Sequence, residues 1–312
     1  MSTSGGNKAI VAALIANLGI AITKFAAFLI SGASSMLAEA VHSLADSGNQ
    51  VLLLVGGKRA QREATEEHPF GYGRDRYVYA FIVAIILFTV GGMFAIYEGI
   101  HKLQHPEPID SWWIPVGVLL IALVLEGFSL RTAVRESNAV RGDQSWVEFI
   151  RRAKAPELPV VLLEDAAAQL GLLLALVGVS VAAITGDGVW DGIGTVCIGV
   201  LLIVVAIVLG VEMKSLLVGE GASRDDVAAI KTAILSADSI PRIIHLKTLY
   251  LGPDELMVAA KVAVEHDDTA ATVARAIDDA ERRIREAVPV ARVIYLEPDI
   301  YVARQQPASA SG

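Results

Sequence analysis

The chain has 312 residues, 54% of them hydrophobic and only 19% charged, with a mean hydropathy of +0.54. Soluble domains sit near about 45–50% apolar and about 25% charged, so this composition excludes a purely soluble protein and assigns the excess to a membrane. The net charge of −8 comes largely from the C-terminal third and says little about partners, but no basic stripe interleaved with aromatic residues is present, so no nucleic-acid partner is expected; the single cysteine, Cys197, excludes an intrachain disulfide.

The opening MSTSGGNK is too short and polar for a cleaved signal, and the apolar run that follows is long enough to span a bilayer. A span takes about 20 apolar residues. Six candidates satisfy this, at about 8–30, 34–57, 77–100, 112–134, 157–184 and 191–217. The first two are joined by SGAS and the last two by TGDGVW, so each pair reads as a tight hairpin. Lys58, Arg59, Arg62, Arg74 and Arg76 follow the second span, and Arg131, Arg135, Arg141, Arg151, Arg152 and Lys154 follow the fourth. On the opposite side only Lys102 appears. This bias puts both termini in the cytoplasm. The expectation is an integral multi-pass membrane protein, and the lack of a targeting segment points to a bacterial inner (cell) membrane.

From about residue 220 the pattern becomes that of a soluble domain. SRDDVAAIKTAILS predicts a helix with Ser223 as its N-cap and acids in the first turn. RIIHLKTLYLG and ELMVAAKVAVE flank a Gly-Pro-Asp turn and predict a hairpin. DTAATVARAIDDAERRIREAV predicts an amphipathic helix and ARVIYLEPD a last strand. The fold expected is an α-helical membrane protein with six transmembrane helices over 1–219, then a cytoplasmic α+β ferredoxin-like domain over 220–301. The tail 302–312 is expected to be disordered.

The residues that carry chemistry lie inside the apolar runs. MLAEAVHSLADSGNQVLLLVGG holds His42 and Asp46 one helical turn apart, on one face. An ionisable group at the bilayer centre costs about 2.5–3.5 kcal/mol even on lenient scales, so its default reading is functional. Imidazole plus carboxylate binds a divalent transition metal. PVVLLEDAAAQLGLLLALVG adds Glu164 and Asp165. Two polar-faced membrane helices able to meet around a cation suggest a transport pathway. Glu39 and Asn49 extend the stripe beside His42 and Asp46, and Gln169 lies one turn after Asp165 as a donor to orient a carboxylate. Glu126 is another intramembrane acid, suited to a coupling ion or to an interhelical hydrogen bond. Lys24 and Asn17 pair internally or snorkel. For each of these the bland reading is a hydrogen-bonded packing residue. For Glu164 it is a protonated acid bonded to a neighbouring helix.

With SGASSMLAEAVHSLADSGNQ, HPFGYGR and VVLLEDAAAQLG laid out, the chain resembles the cation diffusion facilitator family of divalent-cation exporters, and within it the zinc transporter 9-like branch. The resemblance covers about residues 8–300. It implies a homodimer in the bilayer, each protomer with a metal site between its second and fifth spans. It further implies alternating access that carries a divalent cation, Zn2+ first, out of the cytoplasm in exchange for protons, with no organic cofactor. By this resemblance the metal residues are His42, Asp46 and Asp165. The fifth-span motif departs from the family, because Val161 stands where a His or Asp is usual. That leaves the fourth ligand to Glu164 or water, about 100° round the helix from Asp165. Oxygen in place of histidine hardens the site and widens the metals to Mn2+, Fe2+ or Co2+.

Two accessory sites of bacterial relatives are also altered. His68 matches the first histidine of a loop site, but Tyr72 stands at the second. In the cytoplasmic domain His245 matches and Glu297 can replace the acid, but Lys261 and Tyr295 take the other ligand places, so the binuclear site reads as lost. The competing functions are a membrane metal sensor or scaffold that binds without transport, and a metallohydrolase. The second is disfavoured because no His-Glu-x-x-His helix is present, so the chain is not expected to be an enzyme.

Overall fold

The structure, a computed structural model, describes residues 3–109 and 111–301, with side chains from Asn17 onward. The expected tail, 302–312, lies outside the described residues. The chain divides into two compact units, Met1–Leu217 and Val218–Gly312.

The first unit is helical: α1 (Thr3–Ser31), α2 (Ser34–Ala60), α3 (Asp75–Ile86), a π-helical segment (Leu87–Met93), α4 (Phe94–Gln104), α5 (Trp113–Arg141), α6 (Trp146–Arg152), α7 (Glu157–Thr185) and α8 (Val189–Val218). Among the described residues, four helices are long and apolar enough to cross a membrane: Asp75–Gln104, Trp113–Arg141, Glu157–Thr185 and Val189–Val218. The other two differ from them for physical reasons. α2 is diluted by Glu39, His42, Asp46, Asn49, Lys58 and Arg59, and the described apolar part of α1 is the shorter stretch Asn17–Ser31. The short α6 is not anticipated from periodicity; Ser145 caps it by accepting the Glu148 N–H at 3.2 Å.

Glycines let two pairs of helices come close. A Cβ on Gly92 would lie 3.3 Å from the Gly199 carbonyl oxygen, and one on Gly99 3.0 Å from that of Gly192. The π–α4 segment and α8 therefore meet backbone to backbone at two levels, the small-residue contact that replaces hydrophobic drive between membrane helices. Other neighbours are α1 with α2 and α5, α2 with α3, the π segment, α4 and α7, and α5 with α7.

Asp191, in the first turn of α8, caps a different helix. Its carboxylate accepts the Ser34 N–H at 2.7 Å, the Ser35 N–H at 3.3 Å and the Ser35 hydroxyl. The N-terminal N–H groups of a helix have no intrahelical acceptor, and the methyl side chain of Ala33 at the N-cap of α2 offers none.

The second unit runs α9 (Arg224–Leu235), β1 (Arg242–Gly252), β2 (Glu255–Ala263), α10 (Ala270–Ala287) and β3 (Ala291–Asp299). The sheet order is β1-β2-β3, antiparallel between β1 and β2 and parallel between β2 and β3. β2 alternates with period 2, which buries Leu256, Val258, Ala260 and Val262 against Ile230, Ile234 and Ile284 of the helices. Ser223 and Thr269 cap α9 and α10 by accepting the N–H three residues on, at 3.0 and 3.2 Å.

Candidate metal centre

α2 turns its polar side in and its apolar side out. Glu39, His42, Ser43, Ser47 and Asn49 are buried, whereas Leu44, Val51, Leu54 and Val55 are exposed. A water-facing helix would show the reverse. The stripe passes through three levels. Nearest the start of α2, the Lys24 ammonium donates to Glu39 Oε2 at 3.0 Å and to Ser43 Oγ at 2.8 Å. One turn on, His42 Nδ1 lies 3.5 Å from Asp46 Oδ1. Beyond that, Asn49 Nδ2 donates to Glu164 Oε1 of α7 at 2.8 Å.

Several buried atoms on this stripe have no hydrogen-bond partner: Glu39 Oε1, both ring nitrogens of His42, Asp46 Oδ1, Asn49 Oδ1 and Gln50 Oε1. Leaving a buried polar atom unsatisfied costs about 1–3 kcal/mol. The oxygens among them are lone-pair donors, and so is the unprotonated nitrogen of a neutral imidazole. Gly91 of the π segment lies beside His42, its would-be Cβ 4.0 Å from Nδ1. π segments concentrate at functional sites.

The two carboxylates of α7 take different neighbours. Glu164 faces α2, while Asp165 Oδ2 accepts from the Ser129 hydroxyl of α5 at 2.8 Å. Glu126 lies within electrostatic reach of Lys24, Asp46, His42 and Glu39. Gln169 Nε2 reaches the Leu123 carbonyl of α5 at 3.4 Å rather than a carboxylate, and its Oε1 is unpartnered. Among the described residues no three His, Cys, Asp or Glu side chains stand close enough to hold a metal ion together. His42 and Asp46 are brought side by side, Glu164 is aimed at their helix, and Asp165 is held one helix away. Ser43, Ser129 and the π segment belong to this constellation and carry no distinctive sequence pattern. Lys24 carried one, a lysine in mid-span.

At the accessory positions the side chains contact one another. The exposed His68 ring stacks on Tyr72 at 4.6 Å between centroids, and the Tyr72 hydroxyl lies 3.3 Å from Thr65 Oγ1. In the second unit His245 sits opposite Lys261 across the β1–β2 ladder. The Lys261 ammonium lies 2.9 Å from Asp299 Oδ2 and 3.2 Å from Glu297 Oε1. The hydrogen bonds that Lys261 donates to Asp299 and then Glu297 push its pKa up, and the one that Asp299 accepts pulls the Asp299 pKa down. An ammonium has no lone pair to give a metal, and here it stands between the carboxylates.

A sequence model described as the cation efflux transmembrane domain matches residues 10–218. The chain is 33% identical over 266 residues to a Xenopus laevis protein named proton-coupled zinc antiporter SLC30A9, mitochondrial, covering 84% of this chain and 47% of that one. It is 32% identical over 261 residues to the Homo sapiens protein of the same name, covering 83% and 46%. Against metal tolerance protein C4 of Arabidopsis thaliana it is 28% identical over 257 residues, covering 82% and 56%. The chain spans about half the length of these curated relatives. With most of its own length matched by the domain, the chain belongs to the cation efflux family, whose members are transporters rather than enzymes.

Proposed function

We propose that the chain exports a divalent metal cation, Zn2+ first, from the cytoplasm by alternating access in exchange for protons. The observation that carries this is the set of unpartnered lone-pair atoms on the buried face of α2, at His42, Asp46, Asn49 and Gln50. A divalent cation is the partner that satisfies several of them at once. In this reading His42 and Asp46 are the first ligands, and Glu164 and Asp165 of α7 turn in when the ion arrives. Asn49 and Ser129 hold those two carboxylates in the meantime. Ionised carboxylates gathered in low dielectric repel one another, and either a divalent cation or a proton relieves that. This is the physical basis for exchange, and the names of the zinc antiporter relatives support it.

The architecture proposed with this function has six spans, adding α1 and α2 to the four apolar helices. Both termini are cytoplasmic, the second unit is a ferredoxin-like domain, and the protein works as a homodimer. A donor set rich in oxygen also suits Mn2+, Fe2+ or Co2+. The test is metal-driven proton movement in proteoliposomes, with the four ions compared side by side. Asp46→Ala and His42→Ala are each expected to abolish saturable flux while the purified protein stays folded. Wild-type flux in the Asp46→Ala protein would sink the proposal.

A further inference from the structure

The Lys24–Glu39 pair has no place in ligation, yet it is among the most deeply buried groups of the first unit, with side chains 2% and 0% exposed. Taking two charges out of water costs several kcal/mol per ion, and only close geometry with further hydrogen bonds repays it. Lys24 has both, the Glu39 carboxylate at 3.0 Å and the Ser43 hydroxyl at 2.8 Å. Glu39 reaches across to α7: a Cβ on Gly171 would lie 2.8 Å from Glu39 Oε1. The pair thus spans α1, α2 and the face of α7 at one level. Ser43 adjoins His42 in the chain, and Glu39 lies one turn before it. The stripe is therefore asymmetric about His42. One end carries a carboxylate paired with an ammonium, although its Oε1 has no hydrogen-bond partner, and the other carries the acceptors of Asp46, Asn49 and Gln50.

We infer that Lys24 is a positioning residue for the transported ion. Its tethered ammonium neutralises Glu39 and confines a divalent cation to the His42–Asp46 side of the stripe. Without the ammonium, Glu39 would be an unpaired carboxylate about one helical turn from His42, a competing place for the cation and a brake on its release. Without Glu39, the ammonium would repel a cation at His42 from the same short range. At an effective dielectric of about 20, a unit charge acting on a divalent ion over such distances changes affinity by about tenfold or more. The two single substitutions therefore have opposite signs, which a purely packing role does not produce.

This inference rests on the proposed cation site at His42 and Asp46. The experiment is calorimetric titration of zinc into the full-length purified protein at pH 8, with zinc flux measured in proteoliposomes. Lys24→Met is expected to raise affinity about tenfold or more and to slow turnover. Glu39→Gln, which keeps the shape and leaves the ammonium unpaired, is expected to lower affinity by a similar factor. The double substitution returns affinity to within about threefold of the parent. If Lys24→Met fails to fold, Glu39→Gln still decides, because unchanged affinity there overturns the inference. Equal-sign effects of the two singles also overturn it. Asp46→Ala separates the two levels: zinc affinity unchanged there removes the site itself, whereas affinity lost there with both singles silent removes only the role of Lys24.

Discussion

The carboxylates of Glu164 and Asp165 leave adjacent residues of α7 about 100° apart, and that rotation sends one to Asn49 of α2 and the other to Ser129 of α5. Glu164→Gln leaves an oxygen to accept from Asn49, so it removes the charge and keeps the hydrogen bond. If Glu164 joins the ion, zinc affinity measured by calorimetry should fall about tenfold with the melting temperature nearly unchanged. Unchanged affinity would leave Asp165 as the ligand from α7. Lys261 offers a second residue-scale test. Its pair with Asp299 contributes across a broad pH window. Asp299 is held below its ordinary value, so that contribution is lost only as pH falls through the depressed carboxylate pKa. Lys261 is held above its own, so the contribution is lost at the other end as pH rises through the raised ammonium pKa. Lys261→His removes the fixed cation and faces a second imidazole toward His245, Glu297 and Asp299. Zinc should then raise the melting temperature of the variant but not of the parent, and no zinc response in the variant would show that more than the ammonium blocks the site. Glu164, Asp165, Lys261, His245 and Glu297 stood out in the sequence by chemical type, whereas Ser129 and Asp299 did not. The pairings did not either, because Asn49 and Glu164 are 115 residues apart and Lys24 and Glu39 meet only once α1 folds back on α2.

At the scale of elements, hydropathy reads the four apolar helices directly, since each is a run with few charges. It reads α2 poorly for the same reason that α2 is interesting: the buried stripe of Glu39, His42, Asp46 and Asn49 lowers its hydropathy. The π segment leaves no trace in composition, and its place beside His42 emerges only from packing against α2 and α8. The capping of α2 by Asp191 is equally hidden, because the acid lies 157 residues from Ser34 and belongs to the first turn of another helix. Helix caps contribute about 0.5–2 kcal/mol, and this one satisfies two N–H groups and a hydroxyl in a buried place. Asp191→Ala should therefore cost about 2 kcal/mol of stability, seen as a lower melting temperature in detergent, with zinc affinity retained. An unchanged melting temperature would mean that water or a neighbouring group replaces the carboxylate.

For the whole molecule, the pattern changes near residue 220 from long apolar runs to amphipathic elements, with periods of 3.6 and 2 in place of continuous apolarity. That is why the helices and the small sheet of the second unit could be placed from pattern alone, while the strand order needed the backbone pairing. This unit has a core of its own, with Ile230, Ile234, Leu256, Val258, Val262, Ile284 and Ile294 in one cluster, and a domain of this size buries enough surface to fold by itself. Its carboxylates at Glu297 and Asp299 are already paired with Lys261, so a metal would have to displace the ammonium to reach them. The purified fragment Val218–Gly312 is expected to unfold in one cooperative transition whose midpoint is the same with chelator and with excess zinc. A ligand that binds only the folded form at 100 times its Kd would add about 2.7 kcal/mol, a shift of roughly 10 °C or more for a domain this small. A shift of that size, or one zinc bound per chain in calorimetry, would overturn the reading of Lys261 as the occupant of the metal place. An unfolded fragment would show instead that the second unit depends on the first, or on a second copy of itself, for its stability.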